Sequence, residues 1–469
     1  MEKKWAELSP EERREERFRE WRSPPGVEFT NSQAERTYQQ RVTRLIDAIK
    51  LREPDRVPVG LSLGFFPAFY SGLTPETVMY DYRKLSRAWL KFARDFDVDV
   101  FFSPGAIAPG KALEILDYKL YRWPGHGTSP ITTYQCVEAE YMTADEYDHL
   151  IYDPSDFWMR VYLPRIFGTL APLKKLSPLT DIIELPVTAP SLAPLGGDDV
   201  QAALRALLDA GTESLKWWQV IGECDKAAMA SGFPLFNGGM AKAPFDTIGD
   251  TLRGTHGVMM DMYRQPDKLL EAMERITIME IKRGVSGANA SRIPVIFIPL
   301  HKGADGFMSD EQFRTFYWPT LKKVILGLIE EGLVPSLFAE GGYNSRLEVI
   351  RDLPQGKVVW HFDQTDMAQA KEVLGGTACI MGNIPSSLLF SGTQEGVKDY
   401  CRRLIEVAGK GGGFILDAGA VIDEARPENV RAVFQAAKDY GVYRRESSDD
   451  RKERVDADEA RKSGTSNCL

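Results

Sequence analysis

Four short apolar runs, Leu333 to Phe338, Lys357 to Phe362, Ala378 to Met381 and Gly413 to Leu416, recur in the C-terminal half of the chain with helical stretches between them. Each is β-rich, lacks polar alternation and is bounded by Gly, Pro or Asp, so each reads as a strand buried on both faces. Parallel strands need crossover connections, and a βα series supplies them. Upstream, Arg56 to Leu63, Val98 to Ser103, Phe233 to Asn237 and Pro294 to Leu300 fit the same frame. Eight such units predict an α/β fold, a (β/α)8 TIM barrel, whose chemistry gathers where the strands end. The residues just past those ends include His301, Lys302, Glu340, Tyr343, Arg346, His361, Asp363, Asp366, Asn383, Asp417 and Asp423.

At 469 residues and 43% apolar content the chain can bury one large barrel with additions, or two domains. A net charge of -9 argues against a nucleic-acid partner. No apolar run is long enough to span a membrane, and the opening MEKKWAELSPEERREERFREW lacks the apolar core of a secretory signal. Cys136, Cys224, Cys379, Cys401 and Cys468 are scattered, which suits a reducing cytoplasm and gives no metal-ligand spacing. The expected layout is a charged helical arm over 1–36, either solvated or an oligomer contact, then a barrel over 37–445. A helical insertion at about 153–232 is expected to cap the barrel mouth, and a disordered tail to occupy 446–469. GKGGG at Gly409 to Gly413 precedes a strand, so it reads as a loop and not a nucleotide cradle.

Several rim residues have both a chemical and a structural reading. His301 and His361 can hold or move protons, or be hydrogen-bonded core histidines. Glu340 is costly to bury ionised without a partner, so it is either an acid or orienting group, or an ion pair to Arg346 or Lys302. Of the pair Asp363 and Asp366, the second opens DMAQAKEVL and reads as a helix N-cap, leaving Asp363 as the chemical candidate. Phe65 and Phe66 form a wall for an apolar ligand or part of the core. Gly238 and Gly239, with Asn237 and Met240 beside them, allow close approach of a ligand or make a tight turn. Lys302, Tyr343, Arg346, Asn383 and Asp417 complete the candidate substrate-binding set.

The segments REPDRVPV, GFMSDEQFRTFYWPTLKKVI, GNIP, GGFIL and PENV, in this order, resemble the uroporphyrinogen decarboxylase superfamily over roughly Tyr38 to Tyr443. That superfamily also holds methyltransferases that pass methyl groups to or from corrinoid proteins. Three departures count against decarboxylation. Leu63 stands about where the decarboxylases carry an essential arginine, Pro104 where an aspartate grips pyrrole nitrogens, and Gly419 or Ala420 where a late histidine is found. The zinc-cysteine turns of one methyltransferase branch read FAEGG and DAGAV here, so no zinc is expected. The resemblance then implies a corrinoid-dependent, O-demethylase-like methyltransferase with Glu340 in the first turn. It would move a methyl group from a methylated small molecule, expected to be methoxylated, to cobalamin on a separate protein, since Asp-x-His-x-x-Gly is absent. Glu340 or His301 would act as the acid, tuned by Asp363 or His361. A metal held by His301, Glu340 and His361 would do the same work as a Lewis acid. The corrinoid protein would dock on a rim framed by Lys302, Tyr343, Arg346 and the insertion. A decarboxylase, methyl transfer at sulfur or nitrogen, and a non-catalytic corrinoid- or metabolite-binding barrel remain alternatives, and a homodimer is among the oligomeric states left open.

Overall fold

The computed structural model describes residues 4–443; the expected tail at 446–469 and Cys468 lie outside the described residues. Among the described residues there are nine strands, numbered in chain order. The first three form a small sheet: β1 Tyr121–Pro124, β2 Gly127–Thr128 and β3 Gln135–Cys136. The other six, β4 Asn237–Met240, β5 Val295–Leu300, β6 Val334–Ala339, β7 Val359–Phe362, β8 Cys379–Ile384 and β9 Phe414–Ala418, pair in sequence order, all parallel. Segment 56–63 lies beside β9 through the parallel bridges Val59 to Leu416 and Leu63 to Ile422. Segment 98–103 lies beside the approach to β4 through Phe101 to Leu235. These two segments supply the remaining staves of a (β/α)8 barrel.

Successive side chains alternate faces. Ile296, Leu337, Trp360 and Ile380 are fully buried. Each of the three aliphatic side chains among them contributes about 1.5–3 kcal/mol over leaving it exposed. The third stave is placed differently from the sequence expectation, because its ladder starts at Asn237 and then takes an irregular step to Gly239. The glycines here serve packing, neither ligand approach nor a turn. A side chain on Gly238 would meet the Ile293 carbonyl at 2.0 Å, and one on Gly239 would meet the Gly287 Cα at 3.1 Å. They let the helix Pro266–Ser291 close onto the sheet.

The charged arm is neither solvated nor free. Its helix Pro10–Arg22 starts with Ser9 capping Glu12 N at 3.2 Å, and the Glu12 carboxylate returns the bond to Ser9 N at 2.8 Å. Phe18 and Trp21 are buried, and Trp21 Nε1 donates to the Leu235 carbonyl at 3.0 Å. Arg17 Nε donates to the Glu331 carbonyl at 2.8 Å, and Arg14 donates to the Gly356 carbonyl. The helix therefore seals the end of the barrel where strands begin. Its arginines reach it because long side chains bury their stems while the heads find carbonyls. Beside it Asp99, 1% exposed, accepts from Arg44 Nη1 at 2.7 Å, from both Arg56 terminal nitrogens at 2.6 Å and from Val59 N at 3.0 Å.

The 153–232 insertion reaches the mouth at the end of the second stave, where Ser103 Oγ donates to Asp225 at 3.0 Å. Its main element, the helix Asp198–Ala230, packs along the barrel flank over Gly110–Leu116 and Tyr82–Phe96. It builds a second small core from Ala112, Leu116, Leu170, Leu173, Val200, Ala203 and Ala210. A second element near the mouth is the β1–β3 ribbon, which the sequence pattern did not reveal.

Candidate active site

The rim is organised by the turn after β4, sequence APFDTIGD. Asp246, fully buried, accepts His301 N at 2.9 Å and the Tyr317 hydroxyl at 2.7 Å on one oxygen, and Lys302 N at 3.0 Å on the other. It thereby fixes the exit of β5. Four residues on, one helical turn away, Asp250 reaches the side chains of those same residues. His301 Nδ1 donates to Asp250 Oδ2 at 2.6 Å, Lys242 Nζ lies 2.8 Å from the same oxygen, and Lys302 Nζ lies 3.3 Å from Oδ1. Lys302 Nζ also donates to Thr255 Oγ1 at 2.8 Å. The other imidazole nitrogen, Nε2, lies 3.7 Å from Glu340 Oε1. The His301 and Glu340 side chains are 36% and 46% exposed, while Asp250 is 16% exposed.

Burial works against a charged His301. The bond to Asp250, its charge, and the charges of Asp246 and Glu340 outweigh that and hold the imidazole pKa above its usual value. Burial also raises Glu340; His301 opposes the rise, and the carboxylates Asp246, Asp363 and Asp250 reinforce it. Asp250 is pulled well down, against its burial, by His301 and Lys242. Asp246 goes the other way, raised by burial and then by the neighbouring Asp250. The result is an imidazole that keeps its proton more readily than usual, gripped on one side, with its second nitrogen near a carboxyl group that also retains its proton more readily than usual. Such an arrangement can donate a proton to an oxygen placed at the mouth.

The β1–β3 ribbon covers this cluster from the side and is tied to the loop that carries Asp250. Tyr141 N and Met142 N both donate to the Leu252 carbonyl at 2.8 Å, and Glu138 accepts from Thr255 N. Burial raises the pKa of Tyr121 and of Cys136, and the charge of Asp250 adds to the rise in both. Grooves of about 400 Å³ beside Trp158, Arg275 and Lys282, and about 520 Å³ beside Arg22, Arg44 and Asp47, open elsewhere on the molecule. Neither holds a group with the converging contacts of the rim.

Of the residues singled out in the sequence, the structure brings together His301, Glu340 and Lys302. His361 is apart from them, 3% exposed, with Nε2 at 2.7 Å from the Ala418 carbonyl and its ring against Phe338. It does not join a ligand set with His301 and Glu340. Among the described residues no group of three or more His, Cys, Asp or Glu side chains is arranged to hold a metal ion. Asp363 accepts from Gly341 N at 3.0 Å and holds the turn under Glu340. Asp366 caps its helix through Ala368 N and Gln369 N. Asn383 Nδ2 ties down the Asp363 and Thr365 carbonyls. Asp417 is fully buried, accepting from Ser62 N at 2.8 Å and Ser62 Oγ at 3.0 Å. Arg346, 1% exposed, stacks on Phe313 and is held by the Gly303 and Met308 carbonyls and Asp310. Tyr343 is also fully buried. With Lys302 at 9% exposure, these three cannot frame a docking rim. The partner of Glu340 is His301, and neither Arg346 nor Lys302. Phe66 belongs to a core of Phe92, Phe96 and Tyr70, whereas Phe65 packs on Tyr134 from the ribbon side. Asn237 sits in β4 with its Oδ1 unpartnered, and Met240 is 48% exposed at the strand end.

Sequence reasoning missed Asp246, Asp250, Lys242 and Tyr317. The available signal was a pair of aspartates four apart immediately after a strand, followed across the chain by His-Lys after the next strand.

Barrel and rim together define a (β/α)8 enzyme scaffold with an acid–base cluster at the strand ends. Residues 226–440 match the model of the uroporphyrinogen decarboxylase (URO-D) family. A uroporphyrinogen decarboxylase from Trichodesmium erythraeum is 33% identical over 140 residues, 29% of this chain and 38% of that protein. One from Syntrophotalea carbinolica is 24% identical over 171 residues, 36% of this chain and 48% of that protein. The matched stretches thus span less than half of these relatives. A solved methyltransferase from Methanosarcina mazei shares the fold, with a TM-score of 0.55 at 17% identity, covering 85% of this chain and 98% of that one. Among the described residues no helix is long and apolar enough to cross a membrane.

Proposed function

We propose that this chain is a methyltransferase of the uroporphyrinogen decarboxylase superfamily. It binds a methoxylated small molecule at the rim, and the methyl group leaves for a corrinoid carried by a separate protein. The observation that carries this reading is the His301 clamp: an imidazole fixed by Asp250 at Nδ1, part-exposed, with Nε2 beside Glu340. An alkoxide or phenoxide is a poor leaving group near neutral pH, so O-demethylation demands a placed proton donor, worth roughly 10²- to 10⁴-fold. A reduced corrinoid, when docked, would supply the nucleophile. This chain's share is to hold the donor in line and deliver the proton to its oxygen. The methyltransferase among the solved structures of the same fold supports the reading.

Mixing the purified chain with a methoxylated donor and a corrinoid protein, and following the cobalt absorbance, tests it. Methylation is expected only when both are present and is expected to fail for His301→Gln. Activity without any corrinoid, or stoichiometric corrinoid bound to the isolated chain, would defeat it.

One observation favours a second reading, decarboxylation of a tetrapyrrole carboxylate. The flank helix brings Asp225 to the end of the second stave, where Ser103 Oγ donates to its Oδ2 at 3.0 Å and its Oδ1 is left without a partner. Its burial holds the pKa at about 7, with Ser103 opposing. Conversion of such a substrate by the purified chain would select this reading over the first.

A further inference from the structure

The groove of about 400 Å³ on the outside of the barrel lies between the helix Pro266–Ser291 and the segment that begins at Pro154. Its volume falls within the roughly 300–1,000 Å³ of small-molecule sites. Arg275, Ile278, Met279 and Lys282 recur at the three- and four-residue spacing that puts side chains on one helix face, and all four line it. Trp158 lines it from the facing segment, set between Phe157 and Tyr162 at ring distances of 5.6 and 5.4 Å. Arg283 adds a third cation. No lining residue is acidic, although the chain carries 67 Asp and Glu against 58 Lys and Arg. Acids elsewhere on the helix are already engaged, Glu271 with Lys268 and Glu274 with Lys323. Among the described residues Arg275 and Lys282 have no ion pair and no side-chain hydrogen bond. Cations set beside an indole and two aliphatic side chains are the complement of a flat anion.

We propose that this groove is an effector site for a small aromatic anion, an aryl carboxylate, whose charge is met by Arg275, Lys282 and Arg283 and whose ring lies against Trp158. An inorganic anion would satisfy the cations but leave Trp158, Ile278 and Met279 wet, and a neutral ring would leave the cations unmatched. The site communicates with the rim through one buried carboxylate. Arg283 Nη1 lies 3.1 Å from Glu280 Oε1 and 3.2 Å from Oε2, and Glu280, 1% exposed, also accepts Lys242 N at 2.9 Å. Lys242 Nζ in turn lies 2.8 Å from the Asp250 oxygen that His301 Nδ1 holds. An anion that draws Arg283 outward leaves Glu280 dependent on Lys242, the residue that shares Asp250 with His301. Occupancy of the groove is thereby felt at the clamp, whichever reaction the rim performs.

Calorimetric titration of the full chain with 2-naphthoate tests it. Binding is expected to weaken by at least about tenfold when Arg275→Glu and Lys282→Glu are combined, and to weaken with added salt. Both residues are exposed, so an unchanged circular dichroism spectrum separates this effect from unfolding. Glu280→Gln removes the carboxylate that competes for Arg283 and is expected to tighten binding about threefold or more. His301→Gln should leave the affinity unchanged, which distinguishes the groove from the rim. Inorganic phosphate and the neutral 2-naphthalenemethanol should each bind at least about tenfold more weakly than 2-naphthoate. Coupling is read by nuclear magnetic resonance of histidine-labelled protein: the ring signal missing from His301→Gln should shift on adding 2-naphthoate to the unaltered chain, and stay put in the doubly reversed variant. Four outcomes would overturn the proposal: no binding, affinity indifferent to the double charge reversal, affinity lost in His301→Gln, or phosphate binding as tightly as the aromatic anion. Binding at the groove with a motionless His301 signal would overturn its role as an effector site.

Discussion

The two ends of the barrel each bury an aspartate, Asp99 where strands begin and Asp246 where they end, and the contrast between them separates stability from chemistry. Asp99 is met by Arg44 and Arg56; burial pushes its pKa up, but the two guanidiniums and the Val59 N–H win and hold it low. Asp246 has no cation in direct contact. It accepts two backbone N–H groups and a tyrosine hydroxyl, and burial followed by the nearby Asp250 raises it. The lower end thus pairs its buried aspartate with cations. The upper end holds Asp246, Asp250, His301 and Glu340 close enough to perturb one another, which is the pattern of a working site.

The comparison breaks most visibly at His301. Changing it to Ala is expected to lower turnover 10²- to 10⁴-fold with little change in melting temperature, because its side chain is part-exposed and off the core. A large loss of stability with activity per folded molecule intact would make it structural. At the opposite end Asp99→Ala should cost about 3–5 kcal/mol in denaturant unfolding, since it strands buried arginines. A loss below about 1 kcal/mol would show that those arginines find other acceptors.

Glu340→Gln removes a carboxyl from the same cluster but not the Asp250 clamp, and about a tenfold loss of turnover with an unchanged fold is expected. Unchanged turnover would leave Glu340 only a modest influence on His301.

The smallest effect is a pH signature, and it has opposite sign at the two ends. His301 is raised above its ordinary value of 6.5, so its stabilising contribution is complete below that value and is lost as pH rises through the raised one. Asp99 is lowered, so its contribution is present above the ordinary carboxylate range and is lost as pH falls through the lowered value. Melting curves against pH for His301→Gln and Asp99→Asn should therefore converge on those of the unaltered protein at the alkaline and acid ends respectively. Turnover should also fall on the alkaline side of the raised imidazole.

Much of this architecture was legible because local sequence dictates it. Apolar runs such as VVWHF and FILDA must be covered on both faces, so a parallel barrel follows from them together with the intervening helices. The same holds for the helix cap at Asp366, whose side chain bonds within its own turn. His301 and Glu340 were also legible as candidates, since each directly follows a strand. Their partners were not. Asp250 lies fifty-one residues before His301 and meets it only because β4 and β5 are neighbours. Arg346 and Asp417 looked like rim chemistry and became internal supports for the same reason: which carbonyl or hydroxyl a strand-end side chain reaches depends on the adjacent stave. The arm helix reads as solvated from its charges, yet its Trp21 and arginines seal the barrel. Sequence by itself determined the fold class and the rim position of most candidates, because periodicity and turn residues act over a few residues of chain. Only the tertiary structure decided which carboxylate clamps which histidine, because those contacts and their pKa shifts arise between segments that only barrel closure brings within hydrogen-bonding distance.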